Sequence, residues 1–198
     1  MSEPDAPRYL FDRTIEEGIE VGFLVNNAGA GVAGATADAD AASVSAMLRL
    51  NAEAVVENTI RFLPGMVSRG RGVVVNVSST GTFQPVPHMA AYAASKALVQ
   101  SFTLGTAAEV AAAGVRMLAL CPGVTATGMY SKGLVPAVGG LRTPEQVVTT
   151  AFRALAKRKA SVVDGRRNAL FARAGRHLPE RASLARAGRL MRAGSAGT

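Results

Sequence analysis

The chain has 198 residues, 48% of them hydrophobic, and a formal net charge of +8; that length suits one domain around one sizeable core. The charge is a property of the tail. Residues 1–152 hold 10 Lys/Arg against 12 Asp/Glu and residues 153–198 hold 12 against 2, which argues against a body built to bind nucleic acid.

No apolar run approaches the roughly 18–20 residues of a membrane span, and the acidic N-terminus does not read as a signal peptide. Cys121, the single cysteine, allows no internal disulfide and fits a reducing cytoplasm. Within Leu118-Ala119-Leu120-Cys121-Pro122-Gly123 it reads as a small buried group at a strand end rather than a reactive thiol.

Leu10, Phe11 and Ile15 recur at helical spacing after Asp5 and Pro7, predicting a first helix that Gly18 ends. Val21–Val25 reads as a short buried strand running into Asn26-Asn27-Ala28-Gly29, where small residues let backbone approach a ligand closely. Asp38 or Asp40 caps a long helix from about Ala41 to Ser68, and Gly65, Gly70 and Gly72 are expected to break it. Asn51 stands out inside that helix, since its side chain competes with the backbone for hydrogen bonds.

Val73–Ser78 is the next buried strand, and it delivers the Ser79 hydroxyl at its C-terminal end. A loop through Gln84-Pro85-Val86-Pro87 leads to a helix from about His88 to Ala112 that carries Tyr92 and Lys96. Their i,i+4 spacing sets phenol and ammonium on one face. A cation there stabilises phenolate and lowers the phenol pKa from about 10 toward the range of a general acid/base. His88 is expected at a cap or the surface; with His177 far away and no Cys nearby, no metal site is expected.

Gly114 precedes a buried strand over Val115–Leu120, and Pro122-Gly123 then turns the chain. Gly128–Arg142 is rich in Gly, Pro and apolar residues, including Met129, Tyr130, Leu134 and Val135, and reads as an apolar or mixed surface. Thr143-Pro144-Glu145 opens a helix to about Lys159, followed by a last short strand at Ser161–Val163. From Arg166 onward, apolar residues spaced among arginines predict one or two basic amphipathic helices. They either pack on the domain or contact an anionic membrane surface. The expected organisation is a domain over residues 1–165 and a basic helical extension over 166–198.

Four motifs in order, Asn26-Asn27-Ala28-Gly29, Ser79, Tyr92-x-x-x-Lys96 and Cys121-Pro122-Gly123-Val124, resemble the short-chain dehydrogenase/reductase family over nearly the whole chain. The resemblance implies an α/β, Rossmann-like, doubly wound parallel sheet and an NADP- or NAD-dependent oxidoreductase interconverting an alcohol and a carbonyl. By the same resemblance, Tyr92 is the general acid/base, Ser79 holds the substrate oxygen, and Lys96 holds the nicotinamide ribose. Asn51 lies at a helix kink and anchors a water leading to Lys96. Asn26, Ala28 and Gly29 lie beside the adenosine ribose, while Pro122, Gly123, Val124 and Thr127 surround the carboxamide. The substrate is expected to be an apolar small alcohol or ketone, and the chain a homo-oligomer, dimer or tetramer, paired through the helices around Asn51 and Tyr92.

The family pattern also exposes a gap. A dinucleotide-binding fold opens with a strand and a glycine-rich turn whose N–H groups meet the pyrophosphate. Gly29-Ala30-Gly31-Val32-Ala33-Gly34 fits the spacing, but Ala-Thr-Ala-Asp after it is a poor helix opening, and its overlap with Asn-Asn-Ala-Gly assigns it to the fourth strand of the family. The expected sheet is therefore truncated at its N-terminal side, with Val21–Val25 an exposed apolar edge. Either the written start is internal to a longer protein, or the chain is a shortened relative. In the second case a non-catalytic binding or oligomerisation module is the alternative function.

Overall fold

The computed structural model describes residue 3, residues 5–128 and 140–177, and positions 181, 184 and 187. Much of the apolar segment expected over Gly128–Arg142 (Met129, Tyr130, Leu134 and Val135) and the tail residues Leu178, Leu190 and Met191 lie outside them.

Among the described residues a four-stranded, wholly parallel sheet runs in the order β1 (Phe23–Asn26), β2 (Gly72–Val77), β3 (Val115–Cys121), β4 (Ser161–Val163). Register pairs Val25 with Val75, Val75 with Leu118 and Leu120 with Val162. Near-continuous apolar runs, broken by Asn76 and Arg116, suit β2 and β3 because helices cover both faces of these central strands. On one face Val73, Val75, Leu118 and Leu120 pack on Val147, Ala151, Ala154 and Leu155 of α5 (Pro144–Ala156). On the other, Leu24, Val74 and Met117 meet Phe62 and Met66 of α3 (Ala54–Ser68) and Val110 of α4 (Ala90–Val110). Phe11 of α1 (Ala6–Glu16) completes that layer edge-on to Phe62, ring centroids 5.1 Å apart. The α/β, doubly wound arrangement is therefore present, with β1 and β4 at the two edges of the described sheet.

Several boundaries differ from the sequence reading for local reasons. Strand β1 starts at Phe23, two residues late. The long helix is three consecutive pieces: α2 (Ala41–Leu48), a π-helical segment (Arg49–Glu53) and α3. Asp40 is the cap, its carboxylate accepting from the Ser43 N–H at 2.9 Å. Gly65 does not break α3, which continues through Pro64 and Gly65 to Ser68; Gly70, at φ +65°, makes the turn instead. Helix α4 ends through a 3-10 turn at Gly114, φ +74°, whose bare Cα lies against the Gly70 carbonyl. A capping box between Thr143 and Gln146 starts α5. Helix α6 (Arg166–His177) follows β4 directly.

Candidate active site

The C-terminal ends of β1, β2 and β3 open into one cleft of about 930 Å³, the place where parallel α/β sheets bind ligands. Tyr92, in the first turn of α4, and Ser79 line the same cleft, and the Ser79 Oγ accepts from the Gly81 N–H at 3.1 Å. Lys96, 4% exposed, donates from Nζ to the Val77 carbonyl at 2.9 Å, and the Ser78 Oγ donates back to the Lys96 carbonyl at 2.7 Å. The end of β2 and one turn of α4 are thereby locked together, so strand and helix deliver hydroxyl, phenol and ammonium to one wall.

The electrostatics correct one expectation. Burial pushes the Tyr92 phenol above its ordinary value, and the Ser79 hydrogen bond offsets only part of this. The Lys96 ammonium is directed to the Val77 carbonyl, and it is not among the groups that shift the Tyr92 phenol. Burial in turn lowers Lys96 to about 8, against a small opposing effect of Cys121.

Asn51, fully buried in the π-helical segment, lies beneath the cleft rather than lining it. Its Oδ1 accepts from the Ala30 N–H at 2.9 Å and its Nδ2 donates to the Ala30 carbonyl at 2.8 Å and to Ser95 Oγ at 3.4 Å. The side chain therefore fastens the glycine-rich loop to the helix. A π segment also displaces main-chain carbonyls from the regular i→i+4 ladder.

Ala28 and Gly29 line the cleft; Asn26 does not. Its amide is buried on the opposite face, donating to Asn76 Oδ1 at 2.8 Å and Thr59 Oγ1 at 3.3 Å and accepting from Asn58 Nδ2 at 3.1 Å. Successive strand residues point to opposite faces, so the cleft side belongs to Val25 and Asn27, and Asn27 is the residue the motif reading passed over.

Pro122, Gly123, Val124 and Thr127 form the facing wall. The Pro122 carbonyl accepts from the Thr80 N–H at 2.9 Å, and the Val124 carbonyl from the Arg142 N–H at 3.0 Å. Arg142 then pairs with the fully buried Asp164 through two bonds of 2.8 and 3.1 Å, and Thr150 donates to the same carboxylate at 2.6 Å. Burial alone would raise Asp164; these hydrogen bonds outweigh it and hold the carboxyl below its ordinary value. His88 is exposed at φ 64° and does not line the cleft.

A profile of the short chain dehydrogenase family matches residues 1–134. The chain belongs to that family. Among curated short chain dehydrogenase relatives, it is 40% identical over 107 residues to 2-(S)-hydroxypropyl-CoM dehydrogenase 3 of Xanthobacter autotrophicus, covering 54% of this chain and 42% of that protein. It is 35% identical over 140 residues to the very-long-chain 3-oxoacyl-CoA reductase of Anas platyrhynchos, covering 69% and 44%. The chain thus spans less than half the length of either. Among solved structures, a 7β-hydroxysteroid dehydrogenase superposes with TM-score 0.81 at 28% identity, over 94% of this chain and 73% of that one. A short-chain dehydrogenase from Sphingobium yanoikuyae, solved with NADPH, superposes with TM-score 0.74 at 24% identity over 82% and 64%, which speaks to the fold.

The cleft fits the nicotinamide-ribose end of a dinucleotide. A side chain at Gly29 would come within 3.3 Å of Asn51 Oδ1 and 3.4 Å of Lys96 Nζ, so glycine keeps open the space beside the ammonium. For the pyrophosphate end, the described residues supply no glycine-rich turn at a helix N-terminus beside this cleft.

Proposed function

We propose that the chain is an NAD(P)-dependent oxidoreductase interconverting an alcohol and a carbonyl, with Tyr92 as the general acid/base. The observation that carries this reading is the convergence of Ser79, Tyr92 and the buried Lys96 on one cleft, with Tyr92 and Lys96 one helical turn apart on α4.

The nicotinamide coenzyme, when bound, supplies or accepts the hydride. Tyr92 gives its proton to the carbonyl oxygen in reduction and takes it from the hydroxyl in oxidation. Ser79 holds that oxygen within reach of the phenol. Lys96, tied to the Val77 carbonyl at the end of β2, holds the nicotinamide ribose. Ala28 and Gly29 on one side and Pro122, Gly123, Val124 and Thr127 on the other bound the nicotinamide end. The Asn51 segment holds a relay water beneath Lys96. General acid/base catalysis of this type contributes about 10²–10⁴-fold. Exposed Leu48, Ile60 and Leu98 on α2, α3 and α4 support pairing of this face in a homo-oligomer.

The rival reading, a non-catalytic binding or oligomerisation module, draws support from the open β1 edge, where Phe23 and Val25 are half exposed. Titrating the purified chain with NADPH and then NADH, followed by nicotinamide fluorescence, separates the two. Saturable micromolar binding is expected. A folded chain that binds neither coenzyme would make the rival reading the better one.

A further inference from the structure

Helix α6 crosses the cleft, anchored at two places that leave no room for a side chain. At its start Asn168, 3% exposed, donates from Nδ2 to the Asp164 carbonyl at 2.8 Å. Its amide lies flat against Gly123, where a Cβ would come within 2.7 Å of Asn168 Cγ. Two turns later Gly175 rests on the turn that follows Ser79: a Cβ there would lie 3.0 Å from Gln84 Oε1 and 3.4 Å from the Phe83 carbonyl. One end of the helix is thus seated on the nicotinamide-side turn and the other on the Ser79-side turn.

Positions 168, 171, 172 and 175 share one helical face. Between the two anchors that face carries Phe171 and Ala172, which line the cleft together with Phe83, Val86 and Met89. Ala187, further along the tail, is 3% exposed and lines the same cleft. Arg166 and Arg173 fall on the opposite side of the helix and are exposed. On α6 these two arginines are turned to solvent, away from the face that lines the cleft.

We propose that α6 is the outer wall of the substrate half of the cleft, and that through Phe171 and Ala172 it selects bulky apolar carbonyl compounds. This rests on the oxidoreductase reading for what happens to the carbonyl, but not for its binding. The segment expected to be a separate extension would then be part of the site.

The test measures binding directly, using a naphthyl ketone fluorophore whose emission shifts to the blue in apolar surroundings. Titrations compare the full chain, Phe171→Asp and Leu170→Asp; Leu170 is 69% exposed on the same helix and does not line the cleft. Circular dichroism establishes that both variants are folded. The expected result is saturable binding by the wild type, a Kd raised about tenfold or more by Phe171→Asp, as loss of the apolar area a ligand would cover and a charge placed against it imply, and little change with Leu170→Asp. No saturable binding by the wild type, no effect of Phe171→Asp, or equal effects of both variants overturns the proposal. Binding that depends on Phe171 in a chain that reduces no carbonyl leaves the wall in place and removes the oxidoreductase reading instead.

Discussion

Lys96 shows how a single buried ammonium ties chemistry to stability. Its pKa is lowered to about 8, chiefly by burial, whereas in the unfolded chain it titrates near 10.4. A base with a depressed folded pKa is protonated in the unfolded chain and neutral in the folded one between these values. Folding stability therefore rises with pH across roughly pH 8 to 10.4 on this residue's account. In Lys96→Met that contribution disappears. Thermal midpoints of both proteins between pH 7.5 and 10 should show the wild type gaining on the variant as pH rises. A constant gap would mean that Lys96 is not desolvated. At the same scale, Gly123→Ala must displace the Asn168 amide that lies against it. Overpacking of this kind costs about 1–3 kcal/mol. Denaturant unfolding should show that loss in Gly123→Ala and a partial recovery in Gly123→Ala/Asn168→Ala; equal stability of the single variant and the wild type would contradict the packing.

Among the elements, what was legible in the sequence had a local cause. Val73–Val77 and Val115–Cys121 are apolar runs broken only by Asn76 and Arg116, because α-helices cover both faces, and Asp40 and the Thr143–Gln146 pair mark helix starts through their own side chains. The Tyr92/Lys96 face followed from helical spacing alone. Other features depend on tertiary placement. The motif reading put Asn26 at the coenzyme, whereas the alternation of β1 turns it into a buried amide network with Asn58 and Asn76; counting faces from Val25 would have found Asn27. The π segment around Asn51 has the same residue pattern as a helix, and its kink was implied only by resemblance to the family. Asn168 and Phe171 carry no motif, and their position over the cleft follows from where β4 ends. The Arg142–Asp164 pair joins residues separated by 22 positions with nothing local to announce it.

At the largest scale, the sheet formed by the described residues has β1 at one edge, and exposed positions of that strand are apolar: Phe23 is 45% and Val25 52% exposed, with Phe152 of α5 beside Phe23 at a ring separation of 6.3 Å. An apolar, unpaired edge is prone to pair with another chain. Val25→Lys should lower self-association in sedimentation velocity while shifting stability by less than about 1 kcal/mol, because the side chain is already half in water. Unchanged association would show that the edge is not the contact. The same cleft that borders this edge holds Ser79, Tyr92 and Lys96, which on the proposed oxidoreductase reading move a proton in step with hydride transfer. The most direct measurement is coenzyme-dependent turnover of apolar ketones and alcohols by the wild type and Tyr92→Phe, with coenzyme affinity and circular dichroism taken on the same samples. Turnover should fall by about 10² or more in Tyr92→Phe, with binding and fold preserved. Retained turnover in that variant, or a folded, coenzyme-binding wild type that turns over no carbonyl or alcohol, would contradict that reading.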